Sequence, residues 1–204
     1  LLALDLRTAC MEVKRRSQAD RSAATREALV AAGRALFSVH GFAGVGTETI
    51  VRQAGVTRGA LYHQFADKTE LFAAVFEDVE QSISAQIGQA AVDAGVTDPI
   101  EAMALGAAAW LDASTDPQVR QIVLLDAPAV LGWERWREIG MRYGMGLVEG
   151  LLEHAITVGR LDPQPVAPLA HVLVGALDEA ALYVAGAEDQ VAARAEVQVV
   201  VDRL

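Results

Sequence analysis

Apolar residues recur at helical spacing along nearly the whole chain, and this pattern confines it to an all-helical architecture. Leu29, Ala32, Gly33, Leu36 and Phe37 fall at i, i+3, i+4, i+7 and i+8. The spacing predicts a first helix that begins near Ser22 to Thr25 and stops at His40–Gly41, with glycine just past its end. After the loop Gly41–Gly46, a helix is expected over Thr47–Ala54, with Ile50, Val51 and Ala54 on one face. Gly55–Val56 forms a tight turn, and Thr57 is a good N-cap because its hydroxyl can accept from the next turn. A third helix is expected over Arg58–Gln64, with Leu61 and Phe65 facing inward. Asp67 can cap a fourth from Lys68 to about Val92, striped by Phe72, Val75, Phe76, Val79 and Ile83.

Breakers divide the remainder. Asp98–Pro99 and Asp116–Pro117 each open a helix, to about Ala113 and, despite Pro128, to about Val130. A long helix runs from Trp133 to Gly159, one follows the proline cluster to about Ala185, and a last covers Asp189 to Leu204. No segment carries a credible strand pattern. Three short helices followed by about six longer ones imply an N-terminal helix-turn-helix domain at 21–67, preceded by a basic arm at 1–20 and followed by a larger helical body at 68–204.

Composition sets the limits of function. Of 204 residues, 52% are apolar and 22% charged, which supplies a core and excludes disorder over most of the length. No stretch of roughly 18 residues escapes a charge, so no membrane span is expected. Asp5 and Arg7 interrupt the apolar start Leu1–Leu4, which argues against a secretory segment. Cys10 is alone, so an internal disulfide or thiolate metal cage is impossible; this suits a cytoplasmic location. The net charge of −10 is unevenly spread: residues 1–70 hold ten Lys and Arg against seven Asp and Glu, and residues 71–204 hold seven against twenty. A basic head on an acidic body suits a polyanion at one end only, and a solvated acidic surface is the alternative.

Catalytic patterns are missing. Gly41, Gly44 and Gly46 before Thr47 have P-loop-like spacing, but Thr47 stands where the phosphate lysine belongs, and a helix precedes the loop. The helix start at Thr47 can still hold a phosphate through its free N–H groups. His40, His63, His154 and His171 have no ligand spacing, and no serine sits in a nucleophile elbow. No catalytic residue, metal or cofactor is expected, and the chain does not read as an enzyme.

The informative segment is Thr47-Glu48-Thr49-Ile50-Val51-Arg52-Gln53-Ala54-Gly55-Val56-Thr57-Arg58-Gly59-Ala60-Leu61-Tyr62-His63-Gln64-Phe65, followed by Lys68, Leu71 and Phe72 and preceded by Leu36, Phe37, His40, Gly41 and Phe42. It resembles the DNA-binding domain of the TetR (tetracycline-repressor-like) family over about residues 22–76. The remaining chain matches that family only in its expected helical architecture. The resemblance implies a dimeric regulator of transcription, expected to be a repressor, that binds a pseudo-palindromic DNA operator and is released by a small-molecule effector. A helical ligand carrier or enzyme of the same fold without DNA binding is the alternative.

The residues admit a physical reading beside the resemblance. Arg58 lies on the first turn of the recognition helix, where a guanidinium can bond guanine bidentately; a solvated arginine is the alternative, though a cation is unfavourable at that end. Gly59 inside a helix costs about 1 kcal/mol relative to alanine, which close approach to DNA or tight packing on the second helix would explain. Tyr62 turns away from Leu61 and suits a phosphate contact, an assignment the resemblance shares. His63 can donate to a phosphate. Lys68 at a helix start would add its ammonium to the dipole. Thr57 caps its helix and, by the resemblance, lies near the DNA backbone, with Thr47 at the preceding helix start. Two departures from the family pattern are Gly46, where Thr or Ser is frequent, and Gln64, which can still donate. Lys14, Arg15, Arg16, Arg21 and Arg26 form either a DNA-following arm or a basic tail.

In the body, aromatics beside glycines suggest a ligand cavity, with Met103, Trp110, Trp133, Trp136, Met141, Tyr143, Met145 and His154 as candidates and core packing as the alternative. The last two helices are expected to pair with a second chain through Leu173, Leu177, Val184 and Val200.

Overall fold

A computed structural model describes residues 2–203, with side chains described from Gln18 to Arg203. The described residues form helices joined by short loops and include no strand. They fall into two compact units, Leu1–Val75 and Phe76–Leu204, so the division lies inside a helix.

In the first unit, α1 (Leu2–His40) begins far upstream of the start expected near Ser22. The reason lies in the hydroxyls that suggested a cap. Ser22 Oγ accepts from Gln64 Nε2 at 2.7 Å, and Thr25 Oγ1 donates to the Arg21 carbonyl at 2.8 Å. Both are spent within or across helices and neither opens one. Arg21 and Arg26 are therefore helix residues, and Arg26 stacks 4.5 Å from the Phe65 ring. Lys14, Arg15 and Arg16 lie outside the described side chains. The helix ends where expected, with Gly41 at φ 66 and its N–H bonded to the Phe37 carbonyl at 2.9 Å.

The helices α2 (Thr47–Ala54), α3 (Arg58–Gln64) and α4 (Lys68–Asp93) match the sequence pattern closely. Leu29, Phe37, Ile50, Leu61, Leu71 and Phe72 are fully buried in the core of this unit. Phe37, Phe42 and Phe72 form its aromatic centre, with ring centroids 5.2 to 5.8 Å apart in tilted and edge-on pairs. Gly33 must stay small here, since a Cβ would stand 3.0 Å from Val75 Cγ2.

The second unit opens with Asp98 and Asp116, each capping a helix that starts with proline. Asp98 accepts from the Ile100 and Glu101 N–H groups at 2.9 and 3.1 Å ahead of α5 (Pro99–Ser114). Asp116 does the same for α6 (Pro117–Val119), which passes into a π-helical segment, Arg120–Asp126, and then α7 (Ala127–Leu131). Pro128 lacks a donor and crowds the preceding turn; the widened π turn directly before it lets the helix continue. The rest is α8 (Trp133–Thr157), α9 (Val166–Gly186) and α10 (Gln190–Val201). Helices α5, α8 and α9 pack on one another, and α10 packs on α5 and α9. Arg194 fixes α10 by donating to Asp112 and to the Ala108 carbonyl of α5 at 2.9 and 3.1 Å.

By length and hydropathy α9 could cross a membrane, although it carries Asp178 and Glu179. Its fully buried residues, Ala170, Ala181 and Val184, pack within the unit. Val184 was expected at a seam between chains; full burial within its own chain removes it from that role.

Phe72→Ala should remove about 3–5 kcal/mol from the first unit, read by urea unfolding followed by circular dichroism.

Candidate nucleic-acid interface and body cavity

The turn between α2 and α3 is built by Gly55, whose φ of 67 suits only glycine at low cost. Val56 N–H reaches back to the Val51 carbonyl at 3.0 Å, closing α2. Thr57 then caps α3 as expected, accepting from Ala60 N–H at 3.2 Å. Leu61 and Phe65 bury one side of α3, and Gln64 ties its end to Ser22. The opposite side carries Thr57, Arg58, Gly59, Tyr62 and His63, all exposed. Thr47, half-buried, starts α2, whose N-cap Gly46 offers no side chain.

Arg58 lies across the two helices. Its Nη1 meets Glu48 Oε1 at 3.1 Å, and its guanidinium carbon lies 5.6 Å from the Tyr62 ring centre. Tyr62 first, and Glu48 after it, raise its pKa further, so it stays cationic. Both partners of the ion pair are mostly exposed, so the pair contributes little to stability and exchanges readily for another partner. Gly59 faces open space: a Cβ there would meet nothing closer than Thr57 Oγ1 at 3.9 Å. Tight packing on α2 therefore does not account for the glycine.

Lys68 departs from the phosphate-facing role read from sequence. Its Nζ donates to the Phe42 and Val45 carbonyls at 2.9 Å each and sits 3.9 Å from the Phe42 ring centre. It fastens the 41–46 loop to α4. Gln64 gives one of its amide N–H donors to Ser22.

The body holds a cavity of about 830 Å³. Of the expected lining residues, Met103, Trp110 and Trp136 border it. The others do not. Trp133 is 63% exposed and stacks outside on Trp136, with ring centroids 4.8 Å apart. Met145 lies in a core cluster with Leu152 and Ala170, and Met141 packs against that cluster. His154 is exposed and Tyr143 is half-buried away from the cavity. Leu173 and Leu177 line the cavity from α9.

Polar groups of the cavity that went unnoticed in the sequence include Glu80, Arg137 and Asp178. Arg137 donates to Asp178 in a close ion pair. Burial pushes Asp178 up to about 6, against the opposing pull of Arg137. Burial, and then the Asp178 charge, push Glu80 up to about 8. One signal was available: Glu80 falls four residues after Phe76 and three before Ile83, within the apolar stripe of α4.

Two family models match this chain. "Bacterial regulatory proteins, tetR family" covers residues 29–75, and "Tetracyclin repressor-like, C-terminal domain" covers 100–204. The chain belongs to the TetR family. A solved TetR-family transcriptional regulator from Pectobacterium atrosepticum is 32% identical, with a TM-score of 0.78 over 90% of this chain and 93% of that one. The transposon Tn10 TetC protein of Escherichia coli is 26% identical over 151 residues, 74% of this chain and 75% of that protein. The HTH-type transcriptional regulator CymR of Pseudomonas putida is 39% identical over 74 residues, 36% of each chain. This TetR-family chain is thus a transcriptional regulator with a helix-turn-helix DNA-binding domain, and the exposed side of α3 is where that domain keeps unburied donors.

Gly59→Ala should raise the stability of the DNA-free protein by up to about 1 kcal/mol in thermal melts, while weakening DNA binding in the same preparation. A loss of stability would reveal packing that the open surroundings of Gly59 exclude.

Glu80 gives a pH signature. Its folded pKa of about 8 exceeds the ordinary 4.5, so between those values the folded state holds the extra proton and stability falls as pH rises. Glu80→Gln should remove that slope, its melting-temperature advantage over wild type growing from acidic pH up to about 8.

Proposed function

We propose that this regulator is a repressor that binds a pseudo-palindromic operator as a homodimer and leaves it when a small molecule occupies the body cavity. The observation that carries this reading is the two-sided character of α3: Leu61 and Phe65 are buried, whereas Thr57, Arg58, Gly59, Tyr62 and His63 face outward together. In this reading the first turn of α3 enters the major groove and Arg58 exchanges Glu48 for a guanine edge. Thr47, Thr57, Tyr62 and His63 take phosphates, and open space at Gly59 admits the backbone or a base. Lys68 acts indirectly, by holding the loop ahead of α2.

A homodimer is supported by the apolar residues that α9 and α10 leave uncovered, Val172, Tyr183, Val199 and Val200. Pairing these surfaces would bury them, and a dimer reading two half-sites needs its recognition helices about 34–36 Å apart. Of the seam residues named from sequence, Val200 remains exposed and suits that role, at the edge of the cavity that it and Tyr183 also border. Leu173 and Leu177, on the cavity wall, would carry ligand occupancy to the same helix. The effector acts only through its different affinity for the DNA-bound and free arrangements. A cytoplasmic location and no catalytic activity accompany this function.

Selection of an operator from a random DNA pool tests it directly. An inverted repeat should emerge, and log K should fall steeply with log salt. Arg58→Ala should cost about 1–3 kcal/mol of operator affinity and relax base choice at one position of each half-site. An operator bound equally well by Arg58→Ala would remove α3 from the readout.

A further inference from the structure

The cavity in the body is walled chiefly by apolar side chains, and the few polar groups among them are unbalanced. Arg137 is the one basic residue on the wall among the described residues, and the Asp178 carboxylate already holds it. Trp136 is satisfied too: its indole N–H donates to the Val123 carbonyl of the π segment at 3.0 Å. Trp110 has no counterpart. Its indole nitrogen is buried with no acceptor. Glu80 borders the cavity at 7% exposure, and no hydrogen bond or ion pair holds its carboxyl among the described residues. Burial raises that carboxyl to about 8, so near neutral pH it keeps its proton and offers an O–H. Beside the cavity the Trp110 N–H and the Glu80 carboxyl therefore stand as buried, unanswered donors, with the Ser84 and Tyr183 hydroxyls also on the wall and no free positive charge among the described residues.

On the reading of this cavity as the effector site, we propose that it takes an uncharged, mainly apolar molecule whose acceptor oxygens, as in an ester, lactone or ketone, receive the Trp110 N–H and the Glu80 carboxyl. A carboxylate ligand would lie among Glu80 and Asp178 with Arg137 already committed, and an unpaired buried charge is costly. An ammonium ligand would force Glu80 to ionise and, having donors only, would leave the Trp110 N–H unanswered. An acceptor oxygen removes both deficits without burying a charge. The volume, about 830 Å³, holds a ligand of ordinary drug or metabolite size.

Glu80 responds to pH within a defined set of neighbours. Arg137 faces the cavity from α8, Asp178 and Tyr183 from α9, and Glu196 and Asp202 from α10; α5 contributes no titratable group to the wall. Arg137 and Asp178 compensate each other, so the O–H of Glu80 is the donor that disappears as pH rises through about 8.

The test uses three probes that share one chain: methyl decanoate, decanoate and decylammonium. Their binding to the DNA-free full chain is measured by tryptophan fluorescence and calorimetry. Near neutral pH the ester should bind at least about 10-fold more tightly than either ion, the range of one or two satisfied hydrogen bonds. Trp110→Phe and Glu80→Leu should each lower ester affinity about 3- to 10-fold. Glu80→Gln keeps a donor, should stay within about 2-fold of wild type, and should lose the fall in ester affinity above pH 8. The inference is overturned if the ester does not bind, if either ion binds as tightly, or if both Trp110→Phe and Glu80→Leu bind the ester like wild type. Adding the ester to the operator complex separates the two claims: ester binding without DNA release upholds the cavity chemistry and counts against effector-driven release.

Discussion

Everything on the exposed side of α3 rests on the burial of Leu61 and Phe65. A helix of seven residues is too short to hold its shape in water by its own hydrogen bonds. Helix α3 exists because one side is packed, its start is capped by Thr57, and its end is tied to α1 through Gln64 and Ser22. Packing also selects which residues face outward. Once Leu61 and Phe65 point into the core, Arg58, Gly59, Tyr62 and His63 have nowhere else to go. The aromatic centre of Phe37, Phe42 and Phe72 and the Lys68 clamp then hold the loop from which α2 starts.

The body follows a different logic. Its helices do not close on a filled core but leave a cavity, and the carboxyl groups of Glu80 and Asp178 are among those in its wall. Such burial costs free energy, and the shifted pKa values of Glu80 and Asp178 express that cost. Arg137 answers Asp178, whereas Glu80 has no cation of its own. Groups held in this way cluster at functional sites, because an unfilled hydrogen-bonding need is a means of recognising a ligand.

Much of the fold was legible in the sequence. Apolar spacing and turn chemistry are local signals, and they placed α2 and α3 to the residue, with Gly55 as the turn and Thr57 as the cap. The Asp-Pro pairs at 98–99 and 116–117 marked two further helix starts for the same reason. Where local signals were ambiguous, they misled. Ser22 and Thr25 have the side chains of caps, yet one serves α3 and the other bonds back along α1. Trp133 and Trp136 are three residues apart on one helix, but only Trp136 reaches the cavity, because helix packing turns Trp133 to solvent.

The sequence alone determined that the chain is helical, where α3 begins and ends, and which residues cap and turn it. These depend on interactions within a few residues, which the order of side chains specifies. Only the tertiary structure decided what each donor is committed to. Lys68 and Gln64 are taken by carbonyls and a hydroxyl 23 to 42 positions away, Arg58 is shared with Glu48, and Trp110 and Glu80 are left unanswered. A hydrogen bond needs its partner within about 3 Å, and distance in space between residues far apart in the chain is set by packing alone.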